Sequence, residues 1–288
     1  MFCVGVQRAC NVIAGEEQLL AKAGVKVSEQ ARKRPDVGPG CPIVGKVTRM
    51  GEYFDMLNEL VEKGRMSWYR GQGDIAWTLT PSALRFRTLN ERSKALGLPA
   101  DFKRYAEGRI PNPPAPTEEL KWVQLAQHYG LPTRLLDWTK HAGMALYFAC
   151  CENIDHDGAV FVLDPIELNK KVDSKNPRVF DANDDARLIN SYFRLGGKRI
   201  GSGKKNIAIN PVWNCDRIER QCGVFTLHGS RGFSLTNKEV RKLKCLRICG
   251  KQKKSMLADL ERCGVNEMAL FPELEHLCSY LKSNAGLY

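Results

Sequence analysis

Ala126-Gln-His-Tyr-Gly-Leu-Pro-Thr-Arg-Leu-Leu-Asp-Trp-Thr139, continued by the apolar run His141–Cys151 and by Gly158-Ala-Val-Phe-Val-Leu-Asp164, is the stretch on which the fold turns. Gly130-Leu-Pro132 breaks a helix expected over Thr117–Tyr129, which opens with the acids Glu118 and Glu119 in its first turn. Leu135–Trp138 reads as a buried strand or turn. His141–Cys151 reads as a helix with Ala145, Phe148 and Ala149 on its core face. Gly158–Asp164 is short, apolar and rich in β-branched residues, so it reads as a strand.

Working outward, Phe54, Leu57 and Leu60-Val61 recur at helical spacing over Met50–Lys63, and Gly64 supplies a stop. Ser67–Gly71 and Ala76–Thr80 read as extended. Residues 85–118 read as a helix followed by a proline-rich loop. Further on, Ala182–Leu195 is expected as a helix, Cys222–His228 as a strand, and Lys253–Arg262 and Pro272–Lys282 as helices. Helices and short strands mix without strict βαβ alternation, which predicts the α+β class. Residues 1–44, with the charged, Pro- and Gly-rich piece Ala31–Pro42, read as an N-terminal extension and linker; residues 45–288 read as one domain.

The chain has 288 residues, 43% of them hydrophobic, and a formal net charge of +12. Between Arg187 and Arg262 stand 18 Lys/Arg against five acids, so this segment carries the whole excess. It fits a polyanionic partner, such as a nucleic acid or an acidic target, or else a solvated basic face. Eleven scattered cysteines, odd in number, point to a reduced, cytoplasmic protein without a disulfide framework. No apolar run is long enough to span a membrane, and a secretory leader is not expected. No cysteine or histidine spacing matches a zinc site, so no metal is expected, and neither a Walker A loop nor GxGxxG occurs.

Three constellations carry polar chemistry. In Trp68-Tyr-Arg-Gly-Gln72, Arg70 at a strand end offers a two-pronged receiver for phosphate, and Gly71 beside it would let a ligand approach. In the 126–139 stretch, Arg134 and Asp137 suggest an ion pair, and His128 is a possible acid or base. In Arg217-Ile-Glu-Arg-Gln-Cys-Gly-Val-Phe225, Gln221 enters an apolar strand, where it would hydrogen-bond a ribose or amide or cap a strand edge.

Tyr69-Arg-Gly-Gln72 and Trp77-x-Leu-x-Pro-Ser82 with Arg85 resemble the opening of the FRG domain, named for its Phe-Arg-Gly signature; Tyr69 replaces the Phe. Ala126–Thr139 with Ala145-Leu-Tyr-Phe-Ala149 resembles its central motif. Arg220-Gln-Cys-Gly-Val-Phe-Thr226 and Leu260–Leu281 are similar to its later elements. The order of an Arg, a Ser/Thr before a helix and a late acidic position is also similar to ADP-ribosyltransferases. That resemblance implies a split sheet core flanked by helices and NAD as substrate. It further implies a toxin or defence effector that modifies a nucleic acid or protein, or else a non-catalytic nucleotide- or nucleic-acid-binding module. Carried onto this chain, it makes Arg70 the group for the NAD pyrophosphate or nicotinamide ribose, with Gly71 and Gln72 beside it. Thr139 would orient the ribose, Trp138 or Tyr147 would stack the nicotinamide, and His128, Arg134 and Asp137 would complete the pocket. Gln221 falls where the family has Glu. Glu219, on the same face if the strand extends back, and Asp137 are the candidate replacements for that charge.

Overall fold

The computed structural model describes residues 40–193, 204–212, 215–229 and 234–287. Helices flank one seven-stranded sheet made of β1 (Ile43–Val47), β2 (Trp68–Gln72), β3 (Leu135–Thr139), β4 (Gly158–Leu163), β5 (Ile207–Ile209), β6 (Gly223–Leu227) and β7 (Lys244–Ile248). The spatial order is β1-β7-β4-β2-β3-β6-β5. β1 runs parallel to β7, and every other pairing is antiparallel. The mixed α and β expectation therefore stands.

Strand β4 is buried along its whole length, which accounts for its continuous apolar run. On one face of the sheet, Trp68, Leu136, Trp138, Phe161 and Val224 pack together. On the other, Val160, Val162, Leu246 and Ile248 meet α1 (Met50–Leu60), α4 (Ala142–Cys150) and α8 (Lys253–Arg262). α2 (Leu89–Ala106) starts at a capping box: the Thr88 hydroxyl accepts from Glu91 N, and the Glu91 carboxylate accepts from Thr88 N. α3 (Glu119–His128) precedes the Gly130–Pro132 break. α5 (Pro165–Asn169) has Asp164 as its N-cap and Pro165 in its first turn. The remaining helices are α6 (Ala186–Asn190), α7 (Asp216–Arg220), α9 (Glu267–Leu270) and α10 (Leu274–Asn284).

Strands β2 and β4 share five register pairs, whereas β2 and β3 meet at one, Tyr69 with Thr139. The sheet is thus a single sheet that parts along a seam between β2 and β3, and this seam positions the site.

Several local expectations need correction. Ala76–Thr80 is not a strand; Leu79 makes one isolated bridge to Leu235. The helix expected over Ala182–Leu195 is confined to Ala186–Asn190, and residues 194 and 195 lie outside the described residues, as do residues 1–39. The strand expected from Cys222 begins at Gly223, because Asp216–Arg220 forms a helical turn that ends at Gln221. β7 was hidden by its charges. Lys244 and Arg247 flank buried Cys245, Leu246 and Ile248, and their long stems carry the heads outward, Lys244 Nζ to Leu60 O at 3.0 Å and Arg247 Nε to 3.8 Å from Asp157.

Candidate functional site

Where β2 and β3 separate, backbone groups lose their sheet partners and side chains take over. Arg70 NH1 donates to the Asp137 carbonyl at 2.7 Å, so the guanidinium bridges the seam. The Asp137 carboxylate is 4.0 Å from the same nitrogen. With the Gln72 amide turned to satisfy both of its ends, its oxygen accepts from Arg70 Nε at 3.2 Å and its nitrogen donates to Trp77 O at 3.1 Å. Arg70 is 7% exposed, and burial pulls its guanidinium down to about 10, with Asp137 opposing that shift. It is still charged at neutral pH.

The Asp137 carboxylate accepts from Gln127 Nε2 at 2.6 Å, and the Thr133 hydroxyl donates to the other end of that amide. Burial raises the Asp137 carboxyl above the ordinary aspartate range, against the pull of Arg70. The side chain nevertheless keeps 29% of its exposure, which places it on the floor of an open cleft. Arg85 belongs to the same charge cluster. Its Nε is anchored on Thr80 O at 2.8 Å, and the Asp137 and Glu152 carboxylates oppose the lowering that burial imposes on it. Arg85 remains exposed, so this burial reflects crowding around an accessible group.

Arg70, Asp137, Thr139 and Gln221 line one narrow cavity of about 20 Å³ beneath a partly open mouth. Tyr69, Gly71, Trp138 and Phe148 complete its wall. Three segments far apart in the chain are thereby brought together. The Thr139 hydroxyl donates to Gln221 O at 2.8 Å, and Gln221 Nε2 donates to Leu270 O at 3.2 Å.

The remaining expected site residues are placed differently. Arg134 and Asp137 do not pair: three apart in extended chain, they point to opposite sides. Arg134 NH1 instead donates to His228 O at 2.5 Å, and burial lowers its guanidinium to about 10. Glu219 is exposed on α7, so it shares no strand face with Gln221 and does not line the cavity. His128 lies outside the lining, its Nε2 3.9 Å from Glu273 Oε1. Tyr147 also lies outside it, edge-on to Phe148, which takes the wall position. Trp138 borders the cavity but is 3% exposed, and its indole donates to Thr226 Oγ1 at 3.0 Å. Gly71 serves packing more than ligand approach, because its α-carbon faces α4 at close range.

Sequence reasoning missed Gln127, Thr133 and Phe148. The first two sit inside the 126–139 stretch, and their polar side chains next to a helix end were the available signal. Among the described residues, no group of acids, cysteines and histidines is arranged to hold a metal ion. No helix there is long and apolar enough to cross a membrane.

Residues 65–158 match the family model described as FRG domain. The chain carries an FRG domain. The match covers β2, α2, α3, β3 and α4, hence Arg70, Gln127, Asp137, Thr139 and Phe148, and ends at the first residue of β4. Gln221 and the segment around Leu270 reach the FRG cleft from outside the matched stretch. Neither the curated proteins nor the solved structures yield a match.

Proposed function

We propose that the FRG domain binds the ribose–phosphate portion of a nucleotide in the cleft at the β2–β3 seam, with NAD the first ligand to test. The observation that carries this reading is the convergence of a guanidinium, a hydroxyl and an amide from three remote segments on one cavity. Arg70 supplies the cationic group in the cavity for phosphate, with exposed Arg85 in the same charge cluster outside the lining, and Thr139 and Gln221 supply neutral hydrogen-bonding groups for a ribose. The cavity of about 20 Å³ lies far below the ~300–1,000 Å³ typical of small-molecule sites, so a single group of the ligand, a phosphate oxygen or a ribose hydroxyl, would enter it while the rest lies across its mouth.

Gln221 favours binding without turnover. It carries no charge where a resemblance to ADP-ribosyltransferases would imply a carboxylate, and its NH2 group is engaged by Leu270 O. Glycosyl transfer from NAD is the second reading, and Asp137 favours it. Its carboxylate lies in the cavity wall, where negative charge would stabilise a ribosyl cation as the bond to nicotinamide breaks. The basic Arg187–Arg262 segment supports a polyanionic target in either case.

The test is calorimetric titration of the full chain with NAD, ADP-ribose and AMP, alongside chromatography for released nicotinamide. Binding weakened at least about tenfold by Arg70→Ala, the effect of ~1.4 kcal/mol, is expected. Recovery of intact NAD supports the binding module. Nicotinamide release abolished by Asp137→Asn supports the transferase. No affinity for any of the three ligands overturns both readings.

A further inference from the structure

We propose that Cys41 and Cys245 are a paired modification site that closes to a disulfide under peroxide and ties the chain entering β1 to the neighbouring strand β7. This inference is independent of the nucleotide reading. Cys245 lies in β7, beside the edge strand β1, and is paired in register with Ile43. Its backbone N donates to Pro42 O at 3.1 Å, which brings residue 41 alongside. The Cys41 side chain packs against the core cluster that contains Cys245, from the partly exposed side. Hydrogen bonding to Cys41 first, and burial second, hold the Cys245 thiol far above the ordinary cysteine value, while Arg247 opposes. Both residues are free thiols.

Their unequal burial divides the roles. Cys41, half-exposed, meets the oxidant: hydrogen peroxide converts its thiol to a sulfenic acid and is itself reduced to water. The buried Cys245 sulfur then attacks the Cys41 sulfur. The S–S bond forms, the S–O bond breaks, and a second water leaves with the thiol proton. The product joins residues far apart in sequence but adjacent in the fold, so closure restrains the unfolded chain over a long loop.

The experiment is peroxide treatment of the full chain, alkylation of remaining thiols, and peptide mapping without reductant. A Cys41–Cys245 crosslinked peptide, loss of both thiols and a rise in Tm are expected, all reversed by dithiothreitol. Cys41→Ser should abolish the crosslink and the Tm rise and leave Cys245 open to alkylation in the unfolded chain. Cys245→Ser should drive Cys41 on to sulfinic acid; should that variant fail to fold, Cys41→Ser alone decides. Cys41 over-oxidised in the wild type, or bridged to another cysteine while Cys245 stays a thiol, would overturn the proposal.

Discussion

A β-carbon built at Gly71 would lie 1.9 Å from Ala145 O and 2.6 Å from Ala149 N, so helix α4 sits against strand β2 with no room for a side chain. Gly158 on the neighbouring strand meets the same helix, 2.4 Å from Ala149 O. Because the clashing atoms are backbone, relief requires moving the helix. Gly71→Ala should therefore cost about 3 kcal/mol or more in urea denaturation. The Arg-Gly pair is plain in the sequence, but the reason for its glycine is not: the partner surface lies more than 70 residues downstream. Asp137 supports a second prediction. Burial raises its carboxyl, so the native chain holds a proton there that the unfolded chain has released, and stability from this group falls as pH rises through its native titration. Asp137→Asn removes that loss. Its stability relative to the wild type should climb as pH rises from about 4, the ordinary aspartate value, and level off once the raised native titration is passed, in denaturation curves across the acid and neutral range. A flat difference would show that Arg70 and Gln127 fully compensate the burial.

Lys253, at the start of α8, is fully buried, and its ammonium donates to Gly73 O, Glu152 O and Asn153 O at 2.7, 2.9 and 3.0 Å. Burial pulls it below the ordinary lysine value. It thus ties the chain just past the end of α4 to the end of β2, and the basic run around it gave no hint of this. Lys253→Met would leave three carbonyls, that of Gly73 buried and the other two part-buried, without their donor and should cost about 3 kcal/mol, measured by chemical denaturation. By contrast, Thr88→Ala removes a cap on an exposed helix start, and about 1 kcal/mol is expected. The difference between the two is one of burial. Helix signals such as Thr88 with Glu91 are local, and so are the breakers at Gly130 and Pro132. The strand β7 was illegible because its lysine and arginine place charge within a buried pattern, and nothing local says that their stems reach past the sheet edge.

For the molecule as a whole, the seam between β2 and β3 is the distinctive feature. One register pair and the Arg70 bridge hold it, against five pairs on either side, between β2 and β4 and between β3 and β6. Hydrogen exchange should find β3 amides on the β2 side less protected than those of β4, and a ligand in the cleft should slow them. Equal protection would show that the seam is as tight as the paired strands. The amino-acid sequence by itself determined the mixed α and β class, the strand β4, the helix around Ala145 and the motif residues Arg70, Asp137 and Thr139, because periodicity, breakers and motif spacing act within a few residues. Tertiary structure alone decided that Arg70 reaches across the seam to the Asp137 backbone, that Arg134 turns to His228, and that Glu219 stands away on a helix. Those outcomes depend on which face a side chain leaves and on what the fold brings to it from a distance, and no local pattern encodes either.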